Sequence, residues 1–389
     1  MKITSVKPIF VDRYLFVRIH TDAGITGIGE AGTWGHLEVA ATALEQFGNY
    51  LVDKDPFPIE YHWNMLQRFA YFRGAALMGA VSAIDIALWD IKGQALGVPI
   101  YELLGGKMRD KVRVYGHVKA ETSEEMVERC IDLKMNGFTA IGHLNPFLDE
   151  PREVPYFKPH VKKIRDAVEN VSRAREAVGA DVDLCIEIHR RLTPAEAVVF
   201  ARAIAAFHPM FYEDPIRPDS YDTMVQVADK IPIPIATGER FSSPYEFQML
   251  FARGGVQYAR VSVCLCGGIT GAKKIAALAE MHNIEVVPHN PLSPLSLAAC
   301  LQLDACIPNF AIQEYPNSGS GSGWDTNAGV DLRGSEMFVT TPHFEDGFVT
   351  IPDTPGLGIA LTDDVQELYP ALPRSIAMRS HRDGSLVDQ

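Results

Sequence analysis

The residues best suited to chemistry lie at the ends of apolar runs in the second half of the chain. Each of five runs, LCIEIH, FYED, ATGE, VPHN and IQEY, ends in a carboxylate, an imidazole or both. The side chains concerned are Glu187, His189, Glu213, Glu239, His289 and Glu314. Carboxylates bind hard cations and imidazoles exchange protons near neutral pH, so these residues predict a metal-dependent acid–base site.

Three of the carboxylates are evenly spaced along the sequence. Glu187, Glu213 and Glu239 follow one another at intervals of 26 residues, which is the length of one strand–helix unit. Carboxylates brought together in a half-buried site repel one another, and Mg²⁺ relieves that repulsion while leaving coordination positions for substrate oxygens. Any one of these acids could instead form a salt bridge or cap a helix, but three in succession favour a Mg²⁺ site.

A regular series of strands and helices must position these residues. From about residue 112, short β-branched runs alternate with amphipathic helical stretches, giving eight strand-like runs. Helices are predicted at 123–136, 159–178, 194–207, 218–229, 243–253, 268–282 and 294–303. Repeated units of this kind predict a parallel sheet closed into a (β/α) barrel, whose carboxyl strand ends share one mouth. We assign the barrel to residues 113–330, with a Gly/Ser-rich loop at 317–329.

The segments on either side of the barrel have a different pattern. The first 60 residues read as strands joined by a turn, which is typical of an antiparallel meander. Two helical stretches follow, and the second ends near Gly97, a residue type that can stop a helix. Residues 1–112 are therefore predicted to form a small α+β domain. The tail, 331–389, carries short strand signals and is expected to return to that domain.

Composition narrows the class of protein. The 389 residues are 47% hydrophobic and 22% charged, as in globular proteins, and no run of 18 apolar residues suggests a membrane span. The net charge of −13 and the lack of a Lys/Arg run argue against nucleic acid as a partner. The start of the chain has no signal-peptide core, and the six cysteines form no C-x-x-C pair. We therefore expect a cytoplasmic protein with buried free thiols.

Several motifs together resemble those of the enolase superfamily, in its mandelate racemase subgroup. The motifs are SAIDIALWDIKGQALGVPIYELLGGKMRD, E-x-H, HNPLSP, IQEY and GLGIAL, and they extend over essentially the whole chain. EIHRRLTPAEA and GGIT are similar to the mannonate dehydratase branch, and HNPLSPLSLAAC with its spacing is similar to the galactonate dehydratase branch. The resemblance implies an α/β fold, a modified TIM barrel (β/α)7β with an N-terminal α+β capping domain completed by the C-terminal tail. It also implies a small acid sugar as substrate, a homo-oligomer, and Mg²⁺ held by Glu187, Glu213 and Glu239.

The implied reaction is the dehydration of an aldonate such as D-mannonate, D-gluconate or D-galactonate to a 2-keto-3-deoxy sugar acid. A base removes the proton next to the carboxylate, the metal stabilises the ene-diolate, and an acid protonates the departing hydroxyl. His189, on the strand of Glu187, is the expected acid, and His289 is the candidate base. Either histidine could instead be a core residue paired with a carboxylate.

The chain departs from the family pattern at two strands. Racemases carry a lysine on the second barrel strand, where this sequence has Gly142 and His143, so racemisation by a lysine/histidine pair is disfavoured. At the sixth strand, Ser262 stands where some branches have an aspartate paired with the histidine base. A serine cannot raise the basicity of His289 as a carboxylate would. Tyr156, in the loop after the second strand, is therefore a rival base.

Further residues are predicted to contact substrate. Arg260 and Glu314 would bind substrate oxygens or fix His289, although Arg260 could equally be a packing residue in an ion pair. The remaining candidates are His143, Asn145, Trp34, His36 and Arg73. For the three of them in the first domain, a surface or packing role fits the sequence equally well.

Two other functions remain open. One is an epimerase or cycloisomerase that uses the same metal site, which the missing lysine disfavours. The other is a catalytically weak, metal-binding homologue with a regulatory role. Dehydration of an acid sugar would yield a 2-keto acid and epimerisation would not, whereas a binding module would show only thermal stabilisation by its ligand.

Overall fold

The structure, a computed structural model, describes residues 1–148, 154–317, 330–372 and 378–387. Within these ranges the chain forms an N-terminal cap and a barrel, and a C-terminal tail contacts both of them. The Gly/Ser-rich loop predicted at 317–329 lies outside the described residues except for Asn317.

The cap begins with a three-stranded antiparallel meander, as the alternating pattern predicts. Its strands are β1 Ile3–Val11, β2 Tyr14–Thr21 and β3 Thr26–Glu30. The helices that follow are α1 Leu37–Leu51, α2 Ile59–Arg68, α3 Ala75–Leu96 and α4 Ile100–Leu103. Helix α3 ends at Gly97 as predicted, because this glycine adopts φ 70°, a left-handed conformation that most other residues avoid.

Helix α1 corrects the sequence prediction, which assigns the first 60 residues to strands. Its buried residues include Leu37, Ala40, Leu44, Phe47 and Leu51. This spacing of three and four residues is the helical period, and it turns one apolar face toward β1 and α3. The helical signal is present in the sequence, but alanines contribute little to it.

The second part of the chain is a closed parallel barrel. Its strands are β4 Lys111–His117, β5 Ala140–Leu144, β6 Asp183–Glu187, β7 Phe211–Glu213, β8 Ile235–Thr237, β9 Tyr258–Ala259, β10 Glu285–Val286 and β11 Gln313–Tyr315. Strands β4 to β10 pair in that order, and β11 pairs with β4. The backbone N–H of Ala311 donates to the carbonyl of Val286 at 3.0 Å and closes the ring.

In the part of the chain that the structure describes, seven helices connect the eight barrel strands. They are α5 Ser123–Met135, α6 His160–Val178, α7 Pro194–Ile204, α8 Tyr221–Ala228, α9 Pro244–Phe251, α10 Gly268–Met281 and α11 Pro294–Cys306. Their ends lie within three residues of the predicted ones. The predicted α/β fold, a (β/α)7β barrel with an N-terminal capping domain, is confirmed.

Side-chain caps fix where most of these helices begin. A hydroxyl accepts a first-turn backbone N–H at the start of α5, α7, α8, α9 and α11, from Thr122, Thr193, Ser220, Ser243 and Ser293. Proline follows the cap in α7, α9 and α11, at a position where the missing N–H breaks no helical hydrogen bond. Because each cap follows the loop after a strand, the caps also hold the loops at the barrel mouth.

The C-terminal tail extends the barrel sheet and then returns to the cap. Strands β12 Phe344–Glu345 and β13 Phe348–Thr350 form a hairpin that pairs antiparallel with the amino end of β4. Farther on, the carboxylate of Asp90 on α3 accepts the backbone N–H of Ile28 at 3.1 Å and that of Leu357, in the tail, at 2.9 Å. The tail thus completes the cap, as predicted. Its last described residues, 378–387, differ from the prediction because they pack on the loop before α6.

Buried apolar residues form a large cluster centred on the barrel, which includes part of the cap sheet, and a second cluster within the cap. A small third cluster is formed by residues on or next to the barrel strands: Tyr115, Ala140, Cys185, Phe211, Ala236, Val287 and Ile312. All six cysteines lie in the described ranges and are buried and unpaired, as the sequence suggests. Burial raises the pKa of the Cys130 thiol to about 12, which makes this thiol unreactive at neutral pH. No helix in the described part of the chain combines the length and the apolar character needed to cross a bilayer.

Candidate active site

The three evenly spaced carboxylates meet at the barrel mouth. Glu187 and Glu213 end the neighbouring strands β6 and β7 and are partners in the strand register, and Glu239 follows β8 by two residues. One oxygen from each carboxylate lies within 4.8 Å of the others, and the three residues are 3%, 1% and 8% exposed. The convergence expected from the 26-residue spacing is present in the structure.

Left-handed turns at the strand ends aim the side chains of the site. His143 adopts φ 48°, His189 52°, Arg190 64° and Asp214 41°. Such conformations cost non-glycine residues about 1 to 3 kcal/mol each, and they persist only where the surrounding contacts hold them. At the corresponding place after β8 the chain has Gly238 with φ 131°, and a Cβ there would lie 2.5 Å from a phenylalanine ring.

Glu187 is held between two imidazoles. Its Oε1 lies 2.7 Å from Nε2 of His189, and its Oε2 lies 2.8 Å from Nδ1 of His143. Burial raises the pKa of Glu187, but the charges on His189 and His143 outweigh burial and hold the pKa well below its usual range. The His143 ring also stacks on the ring of His117 at a centroid distance of 4.7 Å.

Arg190 connects two neighbouring strand ends. Its Nη1 donates to Oδ2 of Asp214 at 2.9 Å and to Oε1 of Glu239 at 2.6 Å. The hydroxyl of Thr237 donates to the other oxygen of Asp214 at 2.6 Å. Burial raises the pKa of Glu239, but the charges on His289 and Arg190 lower it to about 2. Glu239 is therefore ionised at neutral pH and available as a ligand for a cation.

Arg260 is 1% exposed and joins two buried carboxylates. Its Nε donates to Glu213 and its Nη2 donates to Glu314. Glu314 also contacts Nε2 of His117 at 2.9 Å and accepts the backbone N–H of Asn290 at 2.6 Å. The structure thus places Arg260 in a buried ion pair, which is one of the two roles that the sequence leaves open.

His289 lies on the Glu239 side of the group, as His189 lies on the Glu187 side. Its Nε2 is 3.3 Å from Oε2 of Glu239, and its Nδ1 is buried with no hydrogen-bond partner in the described ranges. Burial lowers the pKa of His289, although the charges on Glu239 and Glu314 raise it, and a lower pKa favours the neutral imidazole that a general base requires. Ser262 gives no hydrogen bond to this ring, in line with its predicted inability to replace an aspartate.

The donor set fits a divalent cation. Five buried carboxylates, Glu187, Glu213, Asp214, Glu239 and Glu314, lie beside two buried guanidinium groups, those of Arg190 and Arg260. The half-exposed Arg240 adds a contact to Oε1 of Glu239 at 3.0 Å, so the acids outnumber the arginines. Burial raises the pKa of Glu213 well above its usual range and, despite Arg260, neighbouring carboxylates add to the rise. Oε2 of Glu213 is buried and has no hydrogen-bond partner among the described residues. A hard cation would satisfy this oxygen and relieve the repulsion.

Tyr156 packs against the C-terminal tail. Its N–H donates to the carbonyl of Ser380 at 2.8 Å, and its ring lies 5.7 Å from the ring of His381. The guanidinium of Arg379 lies 4.9 Å from the centroid of the same ring. Within the described part of the chain, Tyr156 makes no hydrogen bond to the three glutamates of the site. The rival prediction that Tyr156 is the base finds no support in this geometry.

Four other residues were predicted to contact substrate, and in the structure each of them lies among its own neighbours. Oδ1 of Asn145 accepts the N–H two residues later at 3.0 Å, and its Nδ2 is buried without a partner among the described residues. Trp34 is 47% exposed and lies 4.5 Å from a guanidinium, His36 is exposed before α1, and Arg73 lies over a tyrosine ring of α9 at 5.2 Å. None of these contacts involves the three glutamates, so substrate binding by these residues stays a prediction.

Sequence reasoning assigned no role to three members of the site, His117, Arg190 and Asp214. His117 ends β4 as Glu187 ends β6, so the strand-end rule that found the acids could have found it. Arg190 and Asp214 directly follow assigned residues in IHRR and YED. Their pairing depends on left-handed turns, which residue types other than glycine do not announce.

The second barrel strand carries Gly142 and His143 where a lysine would be expected from the racemase pattern. A Cβ on Gly142 would lie 2.3 Å from the ring of Tyr115, so this position accepts no side chain. The register of β5 against β6 shifts between Ile141 and Leu144, and this bulge turns His143 toward the site. The strand therefore presents an imidazole, and not a lysine, beside the carboxylates.

Comparison with known proteins identifies the family to which this site belongs. Residues 2–105 match the mandelate racemase / muconate lactonizing enzyme N-terminal domain, and residues 120–365 match the enolase C-terminal domain-like family. The chain belongs to the enolase superfamily. Within that superfamily, the two matched ranges correspond to the cap and to the barrel with the first part of the tail.

Relatives in the enolase superfamily match the whole chain. D-Galactonate dehydratase of Xanthomonas oryzae pv. oryzae (strain PXO99A) is 34% identical over 393 residues, which is 100% of both chains. The D-galactonate dehydratase of Verminephrobacter eiseniae (strain EF01-2) is 33% identical over 373 residues, 93% of each chain.

Solved structures agree with this assignment. An enolase from Agrobacterium radiobacter with sodium and L-malate bound has a TM-score of 0.91 at 28% identity, and 100% of both chains is covered. A member of the enolase superfamily from Salmonella Typhimurium has a TM-score of 0.86 at 29% identity, over 95% of this chain and 98% of that one. The resemblance carried by the sequence motifs is confirmed, and the chain is an enzyme of this superfamily.

Proposed function

We propose that this enzyme is a hydro-lyase that removes water from an acid sugar, with Mg²⁺ as its cofactor. The observation that carries the proposal is the meeting of Glu187, Glu213 and Glu239 within 4.8 Å, beside His189 and His289. A cation held by these carboxylates would supply the positive charge that makes the carbon next to a substrate carboxylate acidic. The D-galactonate dehydratases that are 34% identical support an aldonate, such as D-galactonate, D-mannonate or D-gluconate, as substrate.

In the first step, His289 removes the proton on the carbon next to the substrate carboxylate. Burial lowers the pKa of His289, which favours the neutral imidazole whose lone pair accepts that proton. Nε2 lies 3.3 Å from Oε2 of Glu239, which places this edge of the ring beside the carboxylates where a substrate would be held.

In the second step, the hydroxyl on the next carbon leaves as water after His189 donates a proton to its oxygen. His189 is held beside the carboxylate group through its 2.7 Å contact with Glu187. One proton and one hydroxyl leave the substrate, which accounts for the water formed. The remaining enol becomes a 2-keto-3-deoxy acid when a proton returns to carbon.

A screen of acid sugars tests the proposed reaction. The enzyme is incubated with Mg²⁺ and each of a set of aldonates, and 2-keto acids are measured as their semicarbazones. We expect at least one substrate to yield a keto acid, and we expect His189→Asn and His289→Asn each to lower kcat by about 100-fold or more. If an epimer forms and no keto acid does, the enzyme is an epimerase and the proposal is wrong.

The same assay separates the two candidate bases. Tyr156→Phe removes only the phenolic oxygen and leaves the contacts of the ring with the tail. If His289→Asn keeps full activity while Tyr156→Phe abolishes it, the base belongs on the loop after β5. The reverse result supports His289.

A further inference from the structure

Glu30 is a buried carboxyl that lies between the cap and the barrel. It is the last residue of β3, is 0% exposed, and pairs in the cap sheet with Phe16. The hydroxyl of Ser293, also 0% exposed, donates to Oε2 of Glu30 at 2.5 Å. Ser293 belongs to the barrel, where it caps α11 by accepting the N–H of Leu295 at 3.1 Å. One hydrogen bond therefore joins the end of a cap strand to the start of a barrel helix.

Each side of this hydrogen bond leads into a functional loop. On the barrel side, Ser293 follows His289 by four residues, and the loop between them starts where the N–H of Asn290 donates to Glu314 at 2.6 Å. The loop is thus held by the barrel at one end and by the cap at the other. On the cap side, Glu30 is followed by residues 31–36, which contain Trp34.

The cap loop is itself seated on the barrel next to Glu30. The N–H of Gly32 donates to the carbonyl of Cys264, in the loop after β9, at 2.8 Å. A Cβ on Gly32 would come within 3.0 Å of the Cys264 side chain, so the approach is close. The backbone contact at Gly32 and the side-chain contact at Glu30 lie two residues apart and hold the same loop.

The chemistry of Glu30 suits a contact inside an apolar interface. Burial raises its pKa to about 8, although Ser293 and the charge on Arg13 lower it, so the carboxyl is mostly protonated at neutral pH. A protonated carboxyl carries no net charge, and its burial avoids the desolvation penalty of an anion. Oε1 has no hydrogen-bond partner in the described part of the chain, which leaves Ser293 as the side chain that fixes its orientation.

We propose that the Glu30–Ser293 hydrogen bond is a latch that holds the cap loop 31–36 and the His289 loop in one arrangement, which makes Glu30 a positioning residue for the candidate base. The latch itself rests on geometry, whereas its effect on catalysis rests on the proposed function. Losing the hydrogen bond loosens both loops together, because this bond joins one end of each loop, while the bonds of Gly32 and Asn290 still hold them to the barrel. The three catalytic carboxylates keep their own contacts and are not displaced.

Hydrogen exchange and histidine labelling test the latch without any substrate. In Glu30→Leu, we expect amide exchange in 31–36 and 289–293 to accelerate by about tenfold, the shift in an opening equilibrium that losing one buried hydrogen bond produces. Acylation of His289 by diethyl pyrocarbonate should accelerate in parallel, whereas that of His189, which Glu187 holds, should not change. Glu30→Gln, whose amide oxygen accepts the same bond from Ser293, should exchange and label like the wild type.

A matched pair of serine variants separates the latch from helix capping. Ser293→Gly removes the hydroxyl at a cap position that glycine tolerates, and Ser243→Gly does the same at the start of α9, which does not contact Glu30. We expect only Ser293→Gly to reproduce the exchange pattern of Glu30→Leu. Unchanged exchange at both loops in folded Glu30→Leu, or an equal rise throughout the barrel, would overturn the proposal.

Kinetics then show what the latch does for catalysis. With a substrate found by the acid-sugar screen, Glu30→Leu should lower kcat more than it raises KM, and Glu30→Gln should restore kcat. If the screen finds no substrate, the proposed function fails while exchange and labelling still decide the latch. If dehydration is found and kcat is unaffected by Glu30→Leu, Glu30 does not position the base and this inference fails alone.

Discussion

Arg260 is the counter-charge for two buried carboxylates. Replacing it tests how much this positive charge contributes to stability. Replacing it with methionine keeps much of its volume but leaves Glu213 and Glu314 buried without their shared cation. Breaking a buried ion pair from one side is destabilising by about 3 to 5 kcal/mol. We predict that Arg260→Met lowers the free energy of unfolding by this amount, measured by urea denaturation without added metal.

A surface arginine provides the control for Arg260. Arg253 pairs with Asp222 at 2.7 Å, and the two side chains are 39% and 77% exposed. Because such a pair is worth less than about 1 kcal/mol, Arg253→Met should change stability little. If Arg260→Met and Arg253→Met lower the free energy of unfolding equally, burial does not determine how much the Arg260 ion pairs contribute to stability.

At the level of single residues, the sequence predicts acids better than their partners. Glu187, Glu213 and Glu239 could be found because each ends an apolar run, and strand ends of a parallel barrel share one mouth. The contact of Arg190 with Glu239 could not be found, because it needs two consecutive left-handed residues at 189 and 190. No pattern of residue types encodes that turn, and only the contacts made in the folded protein offset its backbone strain.

Among the secondary structure elements, α3 of the cap and α10 of the barrel meet at Asp85. Its Oδ2 accepts the N–H of Thr270 at 2.9 Å, and its Oδ1 has no hydrogen-bond partner in the described ranges. Burial raises the pKa of Asp85 to about 7 from a usual 3.8, although the bond from Thr270 lowers it. At pH values between 3.8 and about 7, the carboxyl therefore takes up a proton when the chain folds. Its contribution to stability is complete below about pH 4 and is lost as the pH rises through 7.

We predict that the effect of Asp85→Asn on the free energy of unfolding depends on pH. The amide oxygen accepts the same bond from Thr270 and carries no charge to desolvate, so the variant gains on the wild type as the pH rises. Between pH 5 and 7 the difference in unfolding free energy should move in favour of the variant by about 1.4 kcal/mol per pH unit. Urea denaturation at several pH values measures this.

The exposed Asp222 is the matched control, since Asp222→Asn changes charge without burial. Its effect on stability should stay nearly constant over the same pH range. A difference between wild type and Asp85→Asn that does not depend on pH would mean that Asp85 is ionised throughout, and the interpretation of its burial would be wrong.

Elements were predicted well where the chain repeats and poorly where it does not. The seven barrel helices follow strands at regular intervals, and hydroxyl caps such as Thr193 and Ser293 mark their starts. Helix α1 was missed because it follows three strands, and three alanines and a glycine among its eight buried residues weaken the apolar pattern. The antiparallel pairing of β13 with β4 could not be predicted, because a strand of three residues carries too little pattern to show its partner.

At the level of the whole molecule, the proposed metal ligands come from three separate strands. A cation that needs all three binds only the folded chain and stabilises it by mass action, by about 2.7 kcal/mol at 100 times its dissociation constant. We predict that Mg²⁺ raises the thermal midpoint of the wild type, and that Glu213→Gln removes most of this rise. Differential scanning calorimetry at increasing Mg²⁺ concentration measures both effects.

Glu285 serves as the control for this experiment, because it begins β10 at the other end of the barrel and is exposed. Glu285→Gln should respond to Mg²⁺ like the wild type. A full response in Glu213→Gln would place the bound ion elsewhere and would remove the main support for the proposed reaction.

The burial of all six cysteines has a practical consequence for following motion in this enzyme. A maleimide dye would find no accessible native sulfur while the chain is folded. A single cysteine introduced at an exposed cap position, such as Glu38 on α1, would therefore take up one fluorophore at one known place. The emission of that dye can then report changes in the surroundings of the cap without first engineering away any native thiol.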